Sequence, residues 1–516
     1  MRQKLIDRVY LYDGSKGFLL MQEGLKSGEC PDLWNLERKD TVYNIHRAYV
    51  DAGSDIIQTN TLQASRPHLE IRGLYGQLPQ INREGVRLAR KAASGKALVA
   101  ASIGPTGCLM RPLGPLKVSE AEEIFAEQIR AILEAEPDIL HFETFISLAE
   151  LRAAVLAAKA LTDLPLIATL AFEKNARTVM GDEMNACITI LEALGVDCAG
   201  ANCSLSPDDM LEIFTKLPED RLKAQFPLCS KPNAGIPTVL NGETCYGATV
   251  QEYCDTIEGF VRAGVRLVGG CCGSAPEHIA AMRLIVDDWN LKEKSGGITG
   301  VDRYGATCSD PLRRSQAASV RLANAHAVFD LVLEKTEDLR PDLEIPIPPH
   351  NPTDSSDQCE TIDAEEIEEL AAALLSEAAD AESAYCLIRL LNTQTGTTLK
   401  SDADQNHAGA VVSGAVGAGR TGHDATDSDW GYSDTVTFIK AIAENAAAQV
   451  RKPVVFSLEG ESPMGLPSAS VLEHALRNYC GTAGVLFSKM CPTDSRQKED
   501  ILQIMRTYGA REIILP

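Results

Sequence analysis

The stretch ILHFETFISLAELRAAVLAAKALTDLPLIATLAF, residues 139–172, decides the fold. Its opening ILHFET (139–144) is a short β-rich run that ends on a carboxylate. SLAELRAAVLAAKA (147–160) then carries apolar residues at helical spacing. After a Leu-Pro break, PLIATLAF (165–172) is a second apolar strand. Strand, helix and strand in that order form a βαβ unit with parallel strands.

The same pattern recurs through the first 290 residues. Strands are predicted at VYLYDG (9–14), SDIIQTN (54–60), ALVAASIGP (97–105), VDCAGANCS (196–204), PLCSKPNAG (227–235) and VRLVGGCCG (265–273), in addition to the two above. SEAEEIFAEQIRAILEAE (119–136) reads as a helix opening on a capping box between Ser119 and Glu122. Eight such units over residues 1–295 predict an α/β domain, a (β/α)8 TIM barrel, with a doubly wound open sheet as the alternative. A barrel gathers the C-terminal ends of its strands at one mouth. Those ends carry Asp13, Asn60, Glu143, Asn202 with Cys203, Asn233, and Cys271 with Cys272.

Fifteen cysteines, odd in number and without framework spacing, argue against a secreted disulfide scaffold. Most read as buried thiols. Cys203 and the pair Cys271–Cys272 stand apart because a barrel would turn all three toward the same opening. Three thiolates with an open fourth position suit a tetrahedral zinc ion that accepts a substrate sulfur. Gly269, Gly270 and Gly273 allow the turn by which adjacent cysteines both face inward, which a regular strand forbids. Three core cysteines beside a structural glycine turn are the alternative reading of the same residues.

The charge balance is acidic, with a formal net charge of −23 and no cluster of Lys and Arg, which excludes a nucleic-acid groove. No apolar run approaches the ~18 residues that a membrane span needs. No signal peptide is visible, so a cytoplasmic protein is expected.

DGxxG at 13–17, GANC at 200–203 and GGCCG at 269–273 together resemble the zinc-dependent homocysteine S-methyltransferase family, which includes the N-terminal module of cobalamin-dependent methionine synthase. The resemblance covers about residues 5–290 and implies a (β/α)8 barrel that methylates homocysteine to methionine. It further implies Cys203, Cys271 and Cys272 as zinc ligands, with the homocysteine sulfur as fourth donor. Asp13 and Glu143 match the positions that hold the amino acid part of homocysteine; Gly14, Asn60 and Asn202 line the same mouth as expected substrate contacts. His141, two residues before Glu143, reads as a supporting core residue. The family's small residues between the glycines of the first motif are replaced by Ser15 and Lys16, and Lys16 bears on which methyl donor docks.

The remainder divides into an expected connecting segment, 296–360, rich in Pro, Ser and acids, and a smaller α/β domain, 361–516, with a helix start at Thr361. Its glycine-rich GAVVSGAVGAGRTG (409–422) lacks the pattern of a phosphate loop and reads as a mobile loop. KPVVFSLEGESP (452–463) and the two stretches 469–490 and 497–516 predict strand, helix, strand, helix, strand. That order, with YCLIRLLNTQTG (385–396), resembles part of the pterin-binding barrel of methionine synthase and implies methyltetrahydrofolate as ultimate donor. Ser457, Leu458 and Phe487 replace polar residues of that pattern, so folate binding is left open. An Asp-x-His-x-x-Gly cobalamin signature is absent, which implies a corrinoid protein acting in trans or on further chain. A small sulfonium or ammonium donor such as S-methylmethionine or betaine is the alternative, and a non-catalytic subunit that docks a corrinoid protein is a third reading.

Overall fold

The computed structural model describes residues 7–295 apart from short breaks, and between 319 and 513 a set of strands and helices. The chain divides into two compact units, Met1–Pro311 and Leu312–Pro516.

In the first unit all eight expected strands form, as β1 (Tyr10–Leu11), β2 (Ile56–Gln58), β3 (Leu98–Ile103), β4 (Ile139–Phe145), β5 (Leu166–Leu170), β6 (Cys198–Asn202), β7 (Leu228–Lys231) and β8 (Val265–Val268). Every neighbouring pair is parallel, in the order β1-β8-β7-β6-β5-β4-β3-β2. A parallel bridge between Tyr12 and Ile56 joins the two ends of that order and closes the barrel. Closure excludes the open doubly wound sheet.

One residue from each strand region packs into a single core cluster: Tyr12, Ile56, Ala100, Ile139, Ile167, Cys198, Cys229 and Leu267. This is the filled interior that makes such a barrel a core rather than a pore. Helices cover the outside. The helix predicted at 147–160 forms as Leu148–Lys159, capped by Ser147, whose side chain accepts from the Glu150 amide. The helix predicted from Ser119 begins earlier, at Val118, and the Lys117 amide donates to Glu120 at 3.2 Å. Ser119 therefore lies inside the first turn, and the cap expected at Ser119 and Glu122 is corrected by two residues, to Lys117 and Glu120.

The second unit holds a five-stranded parallel sheet in chain order: Leu343–Ile347, Cys386–Asn392, Val454–Gly460, Gly484–Phe487 and Arg511–Ile513. Helices Ala469–Asn478 and Ser495–Tyr508 connect the last three strands, matching the predicted alternation. Spatial order in this sheet follows chain order. Three strands, Ser319–Asn324, Ala327–Val332 and Leu343–Ile347, fall within 296–360, so that segment contributes sheet structure as well as connecting chain. The helix start at Thr361 and the glycine-rich stretch 409–422 lie outside the described residues. No described helix is long and apolar enough to cross a membrane.

Candidate metal centre and substrate mouth

β6 ends at Asn202, and the next two residues, Cys203 and Ser204, take positive φ values of 65° and 62°. Left-handed backbone is unusual for side chains of this size and marks a site where geometry outweighs local preference. It turns Cys203 out of the strand direction and toward the barrel mouth.

After β8 the chain makes a tight turn in which the Cys271 amide donates to the Pro232 carbonyl at 2.7 Å and the Ala234 amide to the Cys272 carbonyl at 2.8 Å. A side chain at Gly270 would lie 2.2 Å from Ser274 Oγ, and one at Gly273, where φ is +78°, would lie 2.2 Å from the Tyr246 ring. Both positions exclude a Cβ. The glycines let the two loops after β7 and β8 lie flush, so that consecutive cysteines face one point.

The sulfurs of Cys203, Cys271 and Cys272 lie within 4.8 Å of one another, with 3.8 Å between Cys203 Sγ and Cys272 Sγ. Two sulfurs bound to one tetrahedral zinc at ~2.3 Å stand about 3.8 Å apart, so the donor set fits that ion. Hydrogen bonds from the thiols of Cys271 and Cys272 hold Cys203 as the thiolate, far below an ordinary thiol at about 3. The contact with Cys203, burial and the Cys203 negative charge push Cys272 up to about 12, and contacts with Cys203 and Cys272 together with burial push Cys271 well above its usual range. A divalent cation among the three sulfurs would take the place of the two thiol protons and hold all three as thiolates.

The supporting residues are specific. Asn202 Nδ2 donates to Cys271 Sγ at 3.7 Å and to Thr144 Oγ1 at 2.7 Å. Its carbonyl oxygen accepts from the Thr144 amide at 2.8 Å and from Thr169 Oγ1 at 2.7 Å. Asn202 is thus a positioning residue for Cys271, with its amide fully engaged. Asn233 Oδ1 accepts from the Cys272 amide at 3.1 Å, and its side chain also bonds Cys203. Tyr246, half-buried, bonds Cys272 and meets Phe18 edge-on at 5.9 Å.

Across the mouth stand two carboxylates. Asp13, fully buried after β1, accepts from the Gln58 amide at 2.8 Å and from Lys16 Nζ at 3.2 Å. Glu143 sits on β4 just where its pairing to β5 slips between Phe142 and Phe145, and Thr144 has φ 66°. Such a bulge re-aims a side chain. Ser102 Oγ donates to Glu143 Oε1. Burial alone would raise the Glu143 carboxyl, but the Lys231 and Lys16 ammonium groups and the Ser102 hydroxyl outweigh it and hold it at about 2. Lys231 Nζ is 3.7 Å from Glu143 Oε2 and 3.9 Å from Asp13 Oδ1, and its side chain is 2% exposed. Burial lowers and the two carboxylates raise this ammonium; the carboxylates prevail.

His141 is fully buried, bonded to Gln58 Nε2 at 3.1 Å and to Thr169 Oγ1 at 3.1 Å, and burial lowers it to about 3. It is a neutral link between strands. Gly14 packs tightly, with Ser274 Oγ 2.7 Å and Tyr49 Oη 2.9 Å from where a Cβ would stand. Asn60 is occupied elsewhere, donating to the Pro31 carbonyl at 2.8 Å and to Asn35 Oδ1 at 3.1 Å. The sequence reading overlooked Lys231, Ser102, Thr144 and Tyr246. A lysine closing the seventh apolar run in PLCSKPNAG was the signal available for the first of these.

Residues 10–286 match the family described as homocysteine S-methyltransferase. The chain belongs to that family. The methionine synthase of Mycobacterium tuberculosis is 30% identical over 308 residues, 56% of this chain and 26% of that protein. The methionine synthase of Mycobacterium leprae is 30% identical over 295 residues, 54% of this chain and 24% of that protein. The chain therefore spans about a quarter of the length of these curated relatives. The metallated homocysteine methyltransferase MmuM of Escherichia coli is 23% identical, with a TM-score of 0.46 over 54% of this chain and 96% of that structure. The family match spans the barrel, over residues that include both the three cysteines and the two carboxylates.

Proposed function

We propose that the barrel transfers a methyl group to the sulfur of homocysteine, forming methionine, with zinc held by Cys203, Cys271 and Cys272. The convergence of three sulfurs beside a carboxylate pair carries this reading. Zinc bound to three thiolates is a weak Lewis acid for water but stabilises a further sulfur as thiolate at neutral pH, which favours alkylation over hydrolysis. Asp13 and Glu143 hold the acceptor's ammonium by charge-assisted hydrogen bonds. The carbonyl of Pro232 and the side chains of Asn202 and Asn233 fix the cysteine loops, so positioning costs little when the acceptor arrives.

The methyl donor in this reading is methylcobalamin, carried by a corrinoid protein, with methyltetrahydrofolate as its source; similarity to methionine synthases supports it. The test is methyl transfer to homocysteine by zinc-loaded protein under reducing conditions, with methylcobalamin in one arm and betaine or S-methylmethionine in the other. Methionine formed only with methylcobalamin is the expected result. Turnover with the small donors alone would replace the corrinoid by a self-sufficient reaction, and no turnover in either arm would refute the activity.

A further inference from the structure

Lys231 is the residue of the mouth to which the chemistry above assigns no contact with the acceptor. It ends β7, which lies between the strands that lead to Cys203 and to Cys271–Cys272. Its ammonium nevertheless reaches the carboxylates of the opposite side, 3.7 Å from Glu143 Oε2, 3.9 Å from Asp13 Oδ1 and 4.9 Å from the centre of the Tyr12 ring. Lys16 lies 3.2 Å from Asp13 Oδ2. Two carboxylates and two ammonium groups therefore balance to a formal charge of zero, and the buried His141 adds none.

Two observations constrain what this floor accepts. Asp13 Oδ1 is buried with no hydrogen-bond partner, an acceptor awaiting a donor that the protein does not provide. Yet an ammonium delivered there alone would add an uncompensated charge to a buried and already neutral cluster, which is costly. A ligand that brings an ammonium together with a carboxylate keeps the balance. A sulfur at the cysteines of β6 and β8 and an ammonium at β1 and β4 place the middle of the acceptor over β7, where Lys231 stands.

We propose that Lys231 is the specificity-determining residue that takes the acceptor's α-carboxylate, so that the site selects α-amino acid thiols over aminothiols without a carboxylate. This rests on homocysteine being the acceptor. Lys16 is the more exposed cation, at 12%, and is committed to Asp13 Oδ2.

Calorimetric binding of two sulfur compounds tests it on the full chain, with no dependence on donor or metal: L-methionine, and 3-(methylsulfanyl)propan-1-amine, which lacks only the carboxylate. Wild type is expected to prefer methionine by about 30-fold, the worth of a hydrogen bond to a charged group. Lys231→Met should reduce that preference to about 3-fold or less, and Lys231→Arg should retain most of it. Lys231→Gln keeps a donor without the charge and carries the same expectation as Lys231→Met should that variant fail to fold. Equal binding of both compounds by wild type, or a wild-type preference in Lys231→Gln or Lys231→Met, overturns the role of Lys231 while leaving methyl transfer standing. Binding of neither compound would refute the amino acid acceptor itself, and this inference with it.

Discussion

Replacing Glu143 by Gln removes one charge from a buried cluster while preserving shape and the hydrogen bond from Ser102. The carboxyl is held at about 2 against an unperturbed value of 4.5, and the side chain is 8% exposed. That difference corresponds to about 3 kcal/mol at neutral pH, in the range found when one partner of a buried ion pair is removed. Because the folded-state value is depressed, the contribution is complete above about pH 4.5 and is lost as the pH falls toward 2. Urea denaturation of wild type and Glu143→Gln at pH 7, 5.5, 4 and 3 reads the difference directly. The expected gap is about 3 kcal/mol at pH 7 and 5.5, narrowing at pH 4 and further at pH 3. A gap below about 1 kcal/mol at pH 7, or one that does not change with pH, would refute the pairing of Glu143 with Lys231 as the source of the shift.

Asn202→Ala removes the amide that bonds Cys271 Sγ and should weaken zinc binding about 10- to 100-fold, measured by competition with a chromogenic chelator; unchanged affinity would show the amide idle. Gly270→Ala forces a Cβ to within 2.2 Å of Ser274 Oγ and should cost about 1–3 kcal/mol in thermal unfolding, with displacement of the Cys271 turn and loss of metal; wild-type melting and metal content would contradict the tight turn. His141 and His46 are both buried and lowered to about 3, so the unfolded chain binds protons that the native one does not as the pH falls below about 6.5. Stability should decline from there toward pH 3, by at most about 1.4 kcal/mol per pH unit for each histidine, and His141→Gln should flatten the slope in equilibrium unfolding. A slope unaltered by that substitution would place the titration elsewhere.

The strands were legible because each is a short apolar run closed by a polar residue, and closure of the barrel then fixes which ends meet. The three cysteines were legible for the same reason: each follows a strand end. What a linear chain conceals is where a side chain goes after that end. Asn60 sits at the expected strand end, and the segment around Pro31 and Asn35 folds over it and takes its amide nitrogen, which the sequence does not show. Glu143 aims into the mouth through a slip in strand pairing at residues 143–144 that leaves no compositional trace. Lys231 stands in sequence as one residue of the predicted strand PLCSKPNAG, with nothing to mark its burial. It becomes a buried cation only because Asp13 and Glu143, 218 and 88 residues earlier by their numbering, are carried to the same mouth. The strands at 319–332 were hidden within a stretch whose overall reading was set by the Pro and Ser that follow.

The measurement that bears most directly on the central claim is zinc-edge X-ray absorption of the reconstituted protein before and after homocysteine is added. Three sulfur neighbours and one lighter donor, rising to four sulfurs with homocysteine, is the predicted result, with Cys203→Ser lowering the initial count by one. An unchanged sulfur count on addition of homocysteine would contradict the account, because the acceptor thiol would then be activated somewhere other than at Cys203, Cys271 and Cys272.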